Sequence, residues 1–422
     1  MAQLSDDCFA FGGKLMTTAE ARALLDARLA PIADTETVAL GEALGRVLAA
    51  DLVAPIAVPP HANSAVDGYA VHFDDLAPDA ETRLRVVGRA AAGHPSAEAL
   101  PRGAALRIFT GAPVPQGPDG GPDTIMMQED CRLDGDAVVI RPGIKRGANF
   151  RVAGEDVKQG ATVLAAGHRL RPQDVGLAAS LGLTQLRVRR RLKVALFSTG
   201  DELAEPGRPL APGAVYDSNR YTLAALLRVT GVETSDLGIL RDDRDAIRSA
   251  LAGAAEGHDA ILTSGGMSTG EEDHVKAAVE SAGSLHFWRL AIKPGRPVAL
   301  GQIGRVPFIG LPGNPVAVMV TFLRIARPLL LTLGGARDSD PVLYRVRAGF
   351  GYRKKRDRRE YVRAWLEPGD DGTPVARRFP RDGAGILSSM VEADGLVELS
   401  EEVTTLEPGA VVDYLPFSEV FA

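Results

Sequence analysis

The fold of this chain is indicated by the stretch Ser264-Gly265-Gly266-Met267-Ser268-Thr269-Gly270-Glu271-Glu272-Asp273, which follows the apolar run 260–262 after a single residue. An apolar strand that leads into a glycine-rich turn and then a helix is typical of a parallel α/β sheet, where backbone N–H groups and a helix N-terminus form an anion site. Three acids end the stretch and would repel a bare phosphate. We therefore expect a phosphorylated ligand accompanied by a divalent cation, and Mg²⁺ suits the oxygen ligands available here.

The same stretch has a simpler interpretation. Glycine-rich turns occur in many doubly wound folds because the turn is tight, and acids at a helix start cap the helix and interact favourably with its dipole. The stretch is not a Walker A loop, since no Gly-Lys-Ser/Thr follows it, and it is not Gly-x-Gly-x-x-Gly. Taken alone, it leaves ligand binding and simple turn formation both open.

The composition is that of an ordinary globular protein. The chain has 422 residues, of which 45% are hydrophobic and 24% charged, and a formal net charge of −6. This length predicts about three domains. The negative charge argues against a nucleic-acid binder, although residues 187–193 and 353–359 are basic runs that either form solvated surface or contact a ligand.

Cysteine and histidine usage excludes several kinds of site. Cys8 and Cys131 are too few and too far apart for a disulfide framework or a cysteine-rich zinc site, which fits a reducing compartment. The histidines contain no His-x-x-x-His pair, so we expect no histidine-built zinc centre. No uninterrupted apolar run approaches ~18 residues, so we expect neither secretion nor a membrane span, and the cytoplasm is the predicted location.

The pattern of apolar runs predicts a multi-domain α/β fold. Strands and helices alternate after residue 193, which predicts a doubly wound, mostly parallel sheet covered by helices on both faces. Residues 17–50 have the composition of helices, short β-like runs dominate residues 55–150 and the part after residue 334, and residues 154–183 return to helices and turns. We expect a helical or elongated linker domain (1–54 and 151–186), a small β domain (55–150), an α/β domain (187–335) and a C-terminal β barrel-like domain (336–422).

Three motif-bearing loops follow predicted strands of the α/β domain, at residues 198–202, 264–273 and 311–315. Ligands in such sheets bind at the carboxyl ends of the strands. We therefore expect these loops to lie at one ligand-binding edge.

Eight different short motifs follow one another along nearly the whole chain. They are Asn63-Ser64-Ala65-Val66-Asp67-Gly68-Tyr69-Ala70, Thr110-Gly111-Ala112-Pro113-Val114-Pro115, Gly154-Glu155-Asp156, Ser198–Leu203, Tyr216-Asp217-Ser218-Asn219, Ser264–Asp273, Ile292-Lys293-Pro294-Gly295 and Leu311–Pro315. In this order they closely resemble the motifs of the molybdopterin molybdenumtransferases, which include the bacterial MoeA proteins and the E domain of gephyrin. No single motif would suffice for this resemblance.

The resemblance implies the last step of molybdenum cofactor synthesis. In that step molybdate is inserted into adenylylated molybdopterin, and Mg²⁺-dependent hydrolysis releases AMP. The resemblance also implies a homodimer, with the active cleft between the α/β, molybdopterin-binding domain of one subunit and the small β domain of its partner. Transient contact with the molybdopterin adenylyltransferase and with molybdoenzyme acceptors is expected, without nucleic acid or membrane.

The same resemblance assigns the site residues. The catalytic positions are Asp67, Thr110, Glu202, Asp242 and Asp273. Glu202, Asp242 and Asp273 suit coordination of a divalent metal or activation of water, and the alternative for Glu202 and Asp242 is loop capping. The substrate-binding positions are Ser264, Gly265, Gly266, Ser268, Gly270, Lys293, Arg296, Pro312, Pro315, Arg363, Ser388 and Ser389.

Molybdate is a tetrahedral dianion and needs cationic donors. By resemblance, Lys293, Arg296 and Arg363 supply them, with the hydroxyl of Ser388 or Ser389. The alternative is that Lys293 and Arg296 only line a turn forced by the neighbouring prolines. Arg296 occupies a position more often held by lysine, which keeps the charge and changes the hydrogen-bond geometry. Ala317 stands where a serine is common, which removes one possible donor to an anion.

Two other functions compete with this interpretation. The α/β domain alone also resembles the molybdopterin adenylyltransferases, but a stand-alone adenylyltransferase would not need the motifs at 63–70 and 110–115. A dimeric molybdopterin-binding scaffold could keep the fold and lose the acids. Asp67, Glu202, Asp242, Asp273 and Lys293 are all present, which favours the enzyme.

Overall fold

The first helix that the structure describes is capped at its N-terminus. The computed structural model describes residues 15–118, 120–266, 274–288, 290–295 and 298–421. Helix α1 spans Thr18–Arg28, and Glu20 N donates to Thr17 Oγ1 at 3.1 Å while Thr17 N donates to Glu20 Oε2 at 2.8 Å. These reciprocal bonds form the capping box that the sequence predicts. Three short strands follow: β1 (Thr35–Ala39), β2 (Leu52–Val53) and β3 (Asn63–Ser64).

A six-stranded sheet forms next. Its strands are β4 (Gly68–Val71), β5 (Thr82–Ala90), β6 (Ala104–Ile108), β7 (Thr124–Met127), β8 (Cys131–Asp134) and β9 (Ala137–Ile140). The strand order is β7-β4-β6-β5-β9-β8. All neighbours are antiparallel except the parallel pair β5 and β6. Alternate residues of its central strands pack into two separate apolar clusters, as expected when successive side chains point to opposite faces of a sheet.

The chain then returns along the first strands. The returning elements are β10 (Phe150–Arg151), β11 (Thr162–Leu164), helix α2 (Pro172–Ser180) and β12 (Gln185–Arg189). These strands pair antiparallel with β3, β2 and β1 respectively. The prediction of helices throughout residues 17–50 is therefore wrong for β1. Thr35, Thr37 and Val38 are β-branched and pair with β12, and this long-range pairing outweighs the local helical composition.

The α/β domain forms around a second six-stranded sheet. Its elements are β13 (Lys193–Thr199), β14 (Leu203–Ala204), β15 (Val215–Tyr216), α3 (Ser218–Thr230), β16 (Glu233–Leu240), α4 (Arg244–Gly257), β17 (Ala260–Ser264), α5 (His274–Ala282), β18 (Gly283–Trp288), β19 (Ile292–Lys293), β20 (Val298–Ile303) and β21 (Val306–Leu311). The strand order is β16-β13-β17-β21-β20-β18. The first four strands are mutually parallel, and β20 pairs antiparallel with both of its neighbours, β21 and β18. The predicted doubly wound, mostly parallel sheet is confirmed.

A long apolar helical segment covers this sheet. It consists of α6 (Pro315–Thr321), a π-helical stretch (Phe322–Ala326) and α7 (Arg327–Leu333). The π-helical stretch comes directly before Pro328, whose ring would clash with a carbonyl one turn earlier in a regular α-helix. By length and composition the segment could cross a membrane, but 89% of its most apolar window is buried inside the protein. It is therefore a core helix of the α/β domain.

The C-terminal part closes into a barrel. Its elements are β22 (Tyr344–Ala348), β23 (Tyr352–Arg353), β24 (Arg359–Pro368), β25 (Pro374–Arg378), α8 (Ser388–Glu392), β26 (Gly395–Leu399), β27 (Thr405–Leu406), β28 (Val411–Pro416) and α9 (Ser418–Phe421). The strand order β24-β25-β22-β28-β26 closes on itself because β24 also pairs with β26. The predicted barrel-like domain is confirmed. The short strand β19 of the preceding domain adds to its edge beside β24.

Asp174 fixes the start of α2 in the linker region. Its side chain is 3% exposed, and it accepts hydrogen bonds from Arg171 Nε at 3.0 Å and Arg171 N at 2.8 Å. His168 Nε2 lies 2.7 Å from Asp174 Oδ2. Burial raises the pKa of Asp174, but the hydrogen bonds from Arg171 and His168 outweigh burial and hold it well below its ordinary value of 3.8.

We expect Asp174→Asn to lower the free energy of unfolding by about 1–3 kcal/mol near neutral pH, since the variant loses charge-assisted hydrogen bonds. The lowered pKa means that the wild-type advantage is present above the unfolded-state pKa and is lost as the pH falls through the folded-state pKa. Urea denaturation of both proteins between about pH 7 and about pH 2.5 measures this difference. A difference that stays constant over that range would contradict the ionic role of Asp174.

Candidate functional site

Three loops meet at the carboxyl edge of the α/β sheet. Strands β13, β17 and β21 are neighbours, so the loops that follow them start side by side. Asn219, in the first turn of α3, donates from Nδ2 to Ser264 Oγ at 2.9 Å and to Gly313 O at 2.7 Å. Ser264 Oγ in turn donates to Pro312 O at 3.4 Å. One amide thus joins the end of β17 to the loop after β21.

The helix that carries Asn219 is held by a buried arginine. Asp217 caps α3 by accepting from Arg220 N at 3.1 Å, and its other oxygen accepts from Arg220 Nε at 3.0 Å. The guanidinium also binds Asp236 and Glu205, and the Arg220 side chain is only 5% exposed. Three carboxylates therefore hold this guanidinium and fix the start of α3 against β16.

Glycine is required at both positions after Ser264. The backbone φ angles are +89° at Gly265 and +63° at Gly266. A Cβ atom would lie 2.6 Å from Thr199 O at Gly265 and 2.5 Å from Thr199 Oγ1 at Gly266. These distances are too short for a side chain. The turn after β17 therefore packs directly on the end of β13.

Several buried polar atoms at this edge have no protein partner within the part of the chain that the structure describes. They are Ser198 Oγ, Thr199 Oγ1, Asn219 Oδ1 and Thr263 Oγ1. All belong to the carboxyl ends of β13 and β17 or to the start of α3. Buried polar atoms are normally hydrogen-bonded, so this edge offers both donors and acceptors to a polar ligand.

Two predicted acids lie at loops of the same sheet. Glu202 is exposed and follows β13, and its carboxylate folds over Gly200, where a Cβ would lie 2.4 Å from Glu202 Oε2. Asp242 is partly exposed and follows β16, and its backbone N–H donates to Asp201 Oδ1 at 3.4 Å. Because β13 and β16 are adjacent, both acids start from neighbouring strand ends.

Four predicted residues, Ser268, Gly270, Asp273 and Arg296, lie outside the described residues. Among the residues that are described, no group of three or more His, Cys, Asp or Glu side chains gathers to hold a metal. The metal-binding role of Glu202, Asp242 and Asp273 therefore stays a prediction. The two described acids supply the oxygen donors that Mg²⁺ prefers, so the donor chemistry fits.

A cleft of about 290 Å³ separates the α/β domain from the C-terminal barrel. Lys293, Pro312 and Arg363 all line it, so the structure brings these predicted residues together. Pro315 and Ser388 are not among the lining residues found in the described chain. Ala317 does line the cleft, where its side chain offers no hydrogen-bond donor to an anion.

Arg363 is held at the cleft from the barrel side. Its Nε donates to Ser389 Oγ at 3.0 Å, and its Nη2 donates to Arg381 O at 3.1 Å and Gly383 O at 3.3 Å. Burial lowers the pKa of Arg363, which is 7% exposed. Ser389 is fully buried and orients the guanidinium from behind the cleft wall. An arginine so placed keeps its charge and favours binding of an anion.

Glu360 was missed by the sequence analysis. It is 2% exposed and lines the cleft, and its carboxylate accepts from Lys293 Nζ at 3.3 Å, Tyr352 Oη at 2.8 Å and Arg358 Nε at 3.1 Å. Burial raises the pKa of Glu360, but Arg358, Tyr352 and Lys293 outweigh burial and lower it. Glu360 therefore stays ionised and holds both cations at the cleft. Its only sequence signal was its position directly after the basic run 353–359.

Asp67 and Thr110 form a separate pair in the small β sheet. Asp67 precedes β4 and Thr110 follows β6, and these strands are neighbours. Thr110 donates to Asp67 Oδ1 from both its backbone N and its Oγ1, each at 2.8 Å. These two hydrogen bonds lower the pKa of Asp67. The pair presents an exposed, ionised carboxylate and does not line the cleft of the same chain.

The fold and the site define a multi-domain α/β enzyme with a polar sheet edge beside a cationic cleft. Family models match residues 16–182 as the MoeA N-terminal region (domain I and II), 195–332 as a probable molybdopterin binding domain, and 345–417 as the MoeA C-terminal region (domain IV). The chain belongs to the MoeA family of molybdopterin molybdenumtransferases.

Curated relatives match over most of the chain. The molybdopterin molybdenumtransferase of Haemophilus influenzae is 37% identical and covers 96% of this chain and 100% of that protein. The molybdopterin molybdenumtransferase of Nostoc is 34% identical, and the match covers 89% of this chain and 87% of that protein. A crystal structure of the molybdopterin biosynthesis moeA protein from Pyrococcus horikoshii has a TM-score of 0.82 at 30% identity and covers 95% of this chain and 99% of that chain. The fold is therefore that of MoeA.

We expect Gly266→Ala to lower the free energy of unfolding by about 1–3 kcal/mol, because the new Cβ would overlap Thr199 Oγ1. Gly313→Ala is the matched control: it lies in the neighbouring loop and its Cβ would meet nothing within 4 Å. Thermal denaturation of both variants measures the difference. Equal stability of the two variants would show that the turn after β17 can move away from β13.

Proposed function

We propose that this enzyme inserts molybdate into adenylylated molybdopterin, with Mg²⁺-dependent hydrolysis and release of AMP. Membership of the family establishes molybdenum cofactor biosynthesis by molybdenum insertion, with molybdopterin and molybdate as substrates. The proposal adds the adenylylated form of the substrate, the metal and the residues. Its main support is the loop 311–315, which joins the polar sheet edge to the cationic cleft.

Because of this loop, the proposed binding sites for molybdopterin and molybdate would be adjacent. The carbonyls of Pro312 and Gly313 bind Ser264 and Asn219 at the sheet edge, while Pro312 and Asn314 line the cleft. A molybdopterin bound along the edge would therefore extend towards the cleft. The unpartnered buried atoms at the edge fit the many heteroatoms of a pterin or nucleotide.

The cleft suits a tetrahedral dianion. Lys293, Arg358 and Arg363 line it together with two acids, Glu360 and Asp382, and Asp382 pairs with Arg378, which lies outside the lining. Charge-assisted hydrogen bonds from ammonium and guanidinium groups are the strong contacts for such an anion. Because Arg363 and Glu360 are buried, their positions are fixed before the anion arrives, which lowers the cost of ordering them on binding.

Mg²⁺, when bound, would neutralise charge on the pyrophosphate and favour cleavage of the phosphoanhydride bond. Glu202 and Asp242, with Asp273, are the proposed ligands, since they are oxygen donors at neighbouring loops of the ligand edge. Ser264 and Gly266 would place a hydroxyl and a backbone N–H group beside the ligand. Gly265, whose own N–H donates to Leu311 O at 3.3 Å, would let the ligand approach the backbone closely. Ser268, Gly270 and Arg296 belong to the same proposal through their place in the motifs.

The homodimer is part of the proposal. Thr110 holds Asp67 as an ionised carboxylate through two hydrogen bonds, yet neither residue lines the cleft of its own chain. A partner subunit could bring this pair to the cleft, as the resemblance implies. Transient contact with the adenylyltransferase and with molybdoenzyme acceptors, and a cytoplasmic location, remain expectations from the pathway.

We also propose the division into four domains. Pairing of β1 with β12 and of β2 with β11 supports joining residues 1–54 and 151–186 in one linker domain. The small β sheet supports a domain at 55–150, and the α/β sheet and the barrel support domains at 187–335 and 336–422. Limited proteolysis between residues 186 and 193 would test the boundary before the α/β domain.

The direct test is molybdate insertion by the purified protein with Mg²⁺ and adenylylated molybdopterin. We expect molybdate-dependent cofactor formation with release of AMP. Lys293→Ala should raise the molybdate concentration for half-maximal insertion roughly tenfold or more, because one charge-assisted contact is lost. Lys158→Ala, which removes an exposed lysine far along the chain in the linker region, should change nothing. An unchanged molybdate requirement in Lys293→Ala would remove that residue from the anion site.

Mixed dimers test whether the two subunits share each site. Asp67→Asn and Glu202→Gln should each be inactive as homodimers. A purified heterodimer of the two variants should regain about half of the wild-type sites, since one of its two clefts would contain neither substitution. No recovery would show that Asp67 and Glu202 act within the same chain, and would contradict the shared cleft.

A further inference from the structure

A second cationic pocket lies away from the molybdate cleft. It has a volume of about 40 Å³ and lies between the linker region, β12–β13 and the ends of α3 and α7. None of its lining residues is an acid. Five of them are arginines: Arg46, Arg169, Arg189, Arg190 and Arg191. It shares no lining residue with the cleft that holds Lys293. Three of the arginines belong to the basic run 187–193, which the proposed function leaves without a role.

Only some of these charges are neutralised. Asp259 binds Arg190 at 2.6 and 2.7 Å, and Glu36 pairs with Arg46. In contrast, Arg169, Arg189 and Arg191 have no carboxylate within ion-pair distance in the described parts of the chain. The pocket therefore keeps an excess of positive charge, which is unusual for half-buried arginines.

The side chains of Arg169 and Arg191 converge on one point above Gly231. A Cβ atom built on Gly231 would lie 3.5 Å from Arg191 Nη1 and 3.9 Å from Arg169 Nη2. Gly231 has a φ of +89° and ends helix α3. Burial lowers the pKa of Arg169, and the charge of Arg191 lowers it further. The two guanidinium groups thus face each other closely enough to share one anion.

Known contacts do not use all the donors of these arginines. Arg169 Nε donates to Gly45 O at 3.4 Å. Arg169 Nη2 donates to Val229 O and Arg191 Nη1 donates to Gly231 O, each at 3.0 Å. These bonds cap the C-terminal end of α3 and account for one structural role. Each guanidinium carries five N–H donors, so further donors remain for a ligand. A neighbouring cleft of about 810 Å³, which shares Gly45 and Arg169 with the pocket, provides a route from solvent.

We propose that Arg169 and Arg191 bind a tetrahedral oxyanion of the phosphate class over Gly231. A volume of 40 Å³ corresponds to the space of about three water molecules, which suits an anion of this size. Gly45 and Arg169 come from the linker region, and Arg191 and Gly231 from the α/β domain. A bound anion would therefore tie these two regions together. The site is independent of the proposed catalytic cleft and does not rest on its function.

Calorimetric titration of the full-length protein with inorganic phosphate tests the site. We expect one phosphate per chain outside the cleft, so Lys293→Ala should retain it. Arg169→Gln and Arg191→Gln should each weaken phosphate binding at least tenfold. Arg187→Gln is the control, because it removes the same charge from an exposed position on β12, four residues before Arg191. Sulfate and molybdate titrations then show which tetrahedral dianion the site prefers.

A further variant tests the site even if the arginine variants fail to fold. Gly231→Asn keeps both arginines and places a side chain in their shared space, and asparagine tolerates the left-handed backbone of this position. We expect the same loss of phosphate binding. Wild-type phosphate affinity in folded Arg191→Gln and Gly231→Asn would overturn the proposal, as would loss of all phosphate binding in Lys293→Ala.

Discussion

The cleft depends on a two-residue strand that leaves the α/β domain and joins the barrel. Ile292 and Lys293 pair in parallel with Arg359 and Glu360, and Arg359 N donates to Ala291 O at 2.7 Å. This register places the Lys293 ammonium beside the buried Glu360 carboxylate. Without the pairing, Lys293 would extend from a loop, and no rigid element would hold it opposite Arg363.

The energetic cost of burying the Glu360 carboxylate is offset by its hydrogen-bond and ion-pair partners. An isolated buried charge is costly, whereas a carboxylate bound by two cations and a tyrosine hydroxyl is compensated. The arrangement leaves the cleft with a positive excess in fixed positions. A dianion can then bind without first collecting mobile side chains from the surface.

Arginines in this protein occur in two electrostatic settings. Arg220 binds Asp217, Glu205 and Asp236, so its charge is satisfied and its role is to hold α3. Arg169 and Arg191 bind backbone carbonyls at the end of the same helix. Carbonyl dipoles compensate a guanidinium only in part, and the remaining charge can attract an anion. The arginine charge is therefore neutralised at the N-terminal end of α3, whereas at its C-terminal end positive charge remains available to a ligand.

The sequence by itself determined the α/β sheet, the barrel, the capping box and the motif loops, because periodicity, glycine turns and caps are local patterns. It identified Lys293 and Arg363 but not Glu360, which lies 67 residues from Lys293 and meets it only through the β19–β24 pairing. The local sequence also predicted helix where β1 forms, because it contains no signal for the pairing with the distant strand β12. Tertiary structure alone decided which distant charges meet, because long-range pairing and burial, rather than local propensity, set those distances.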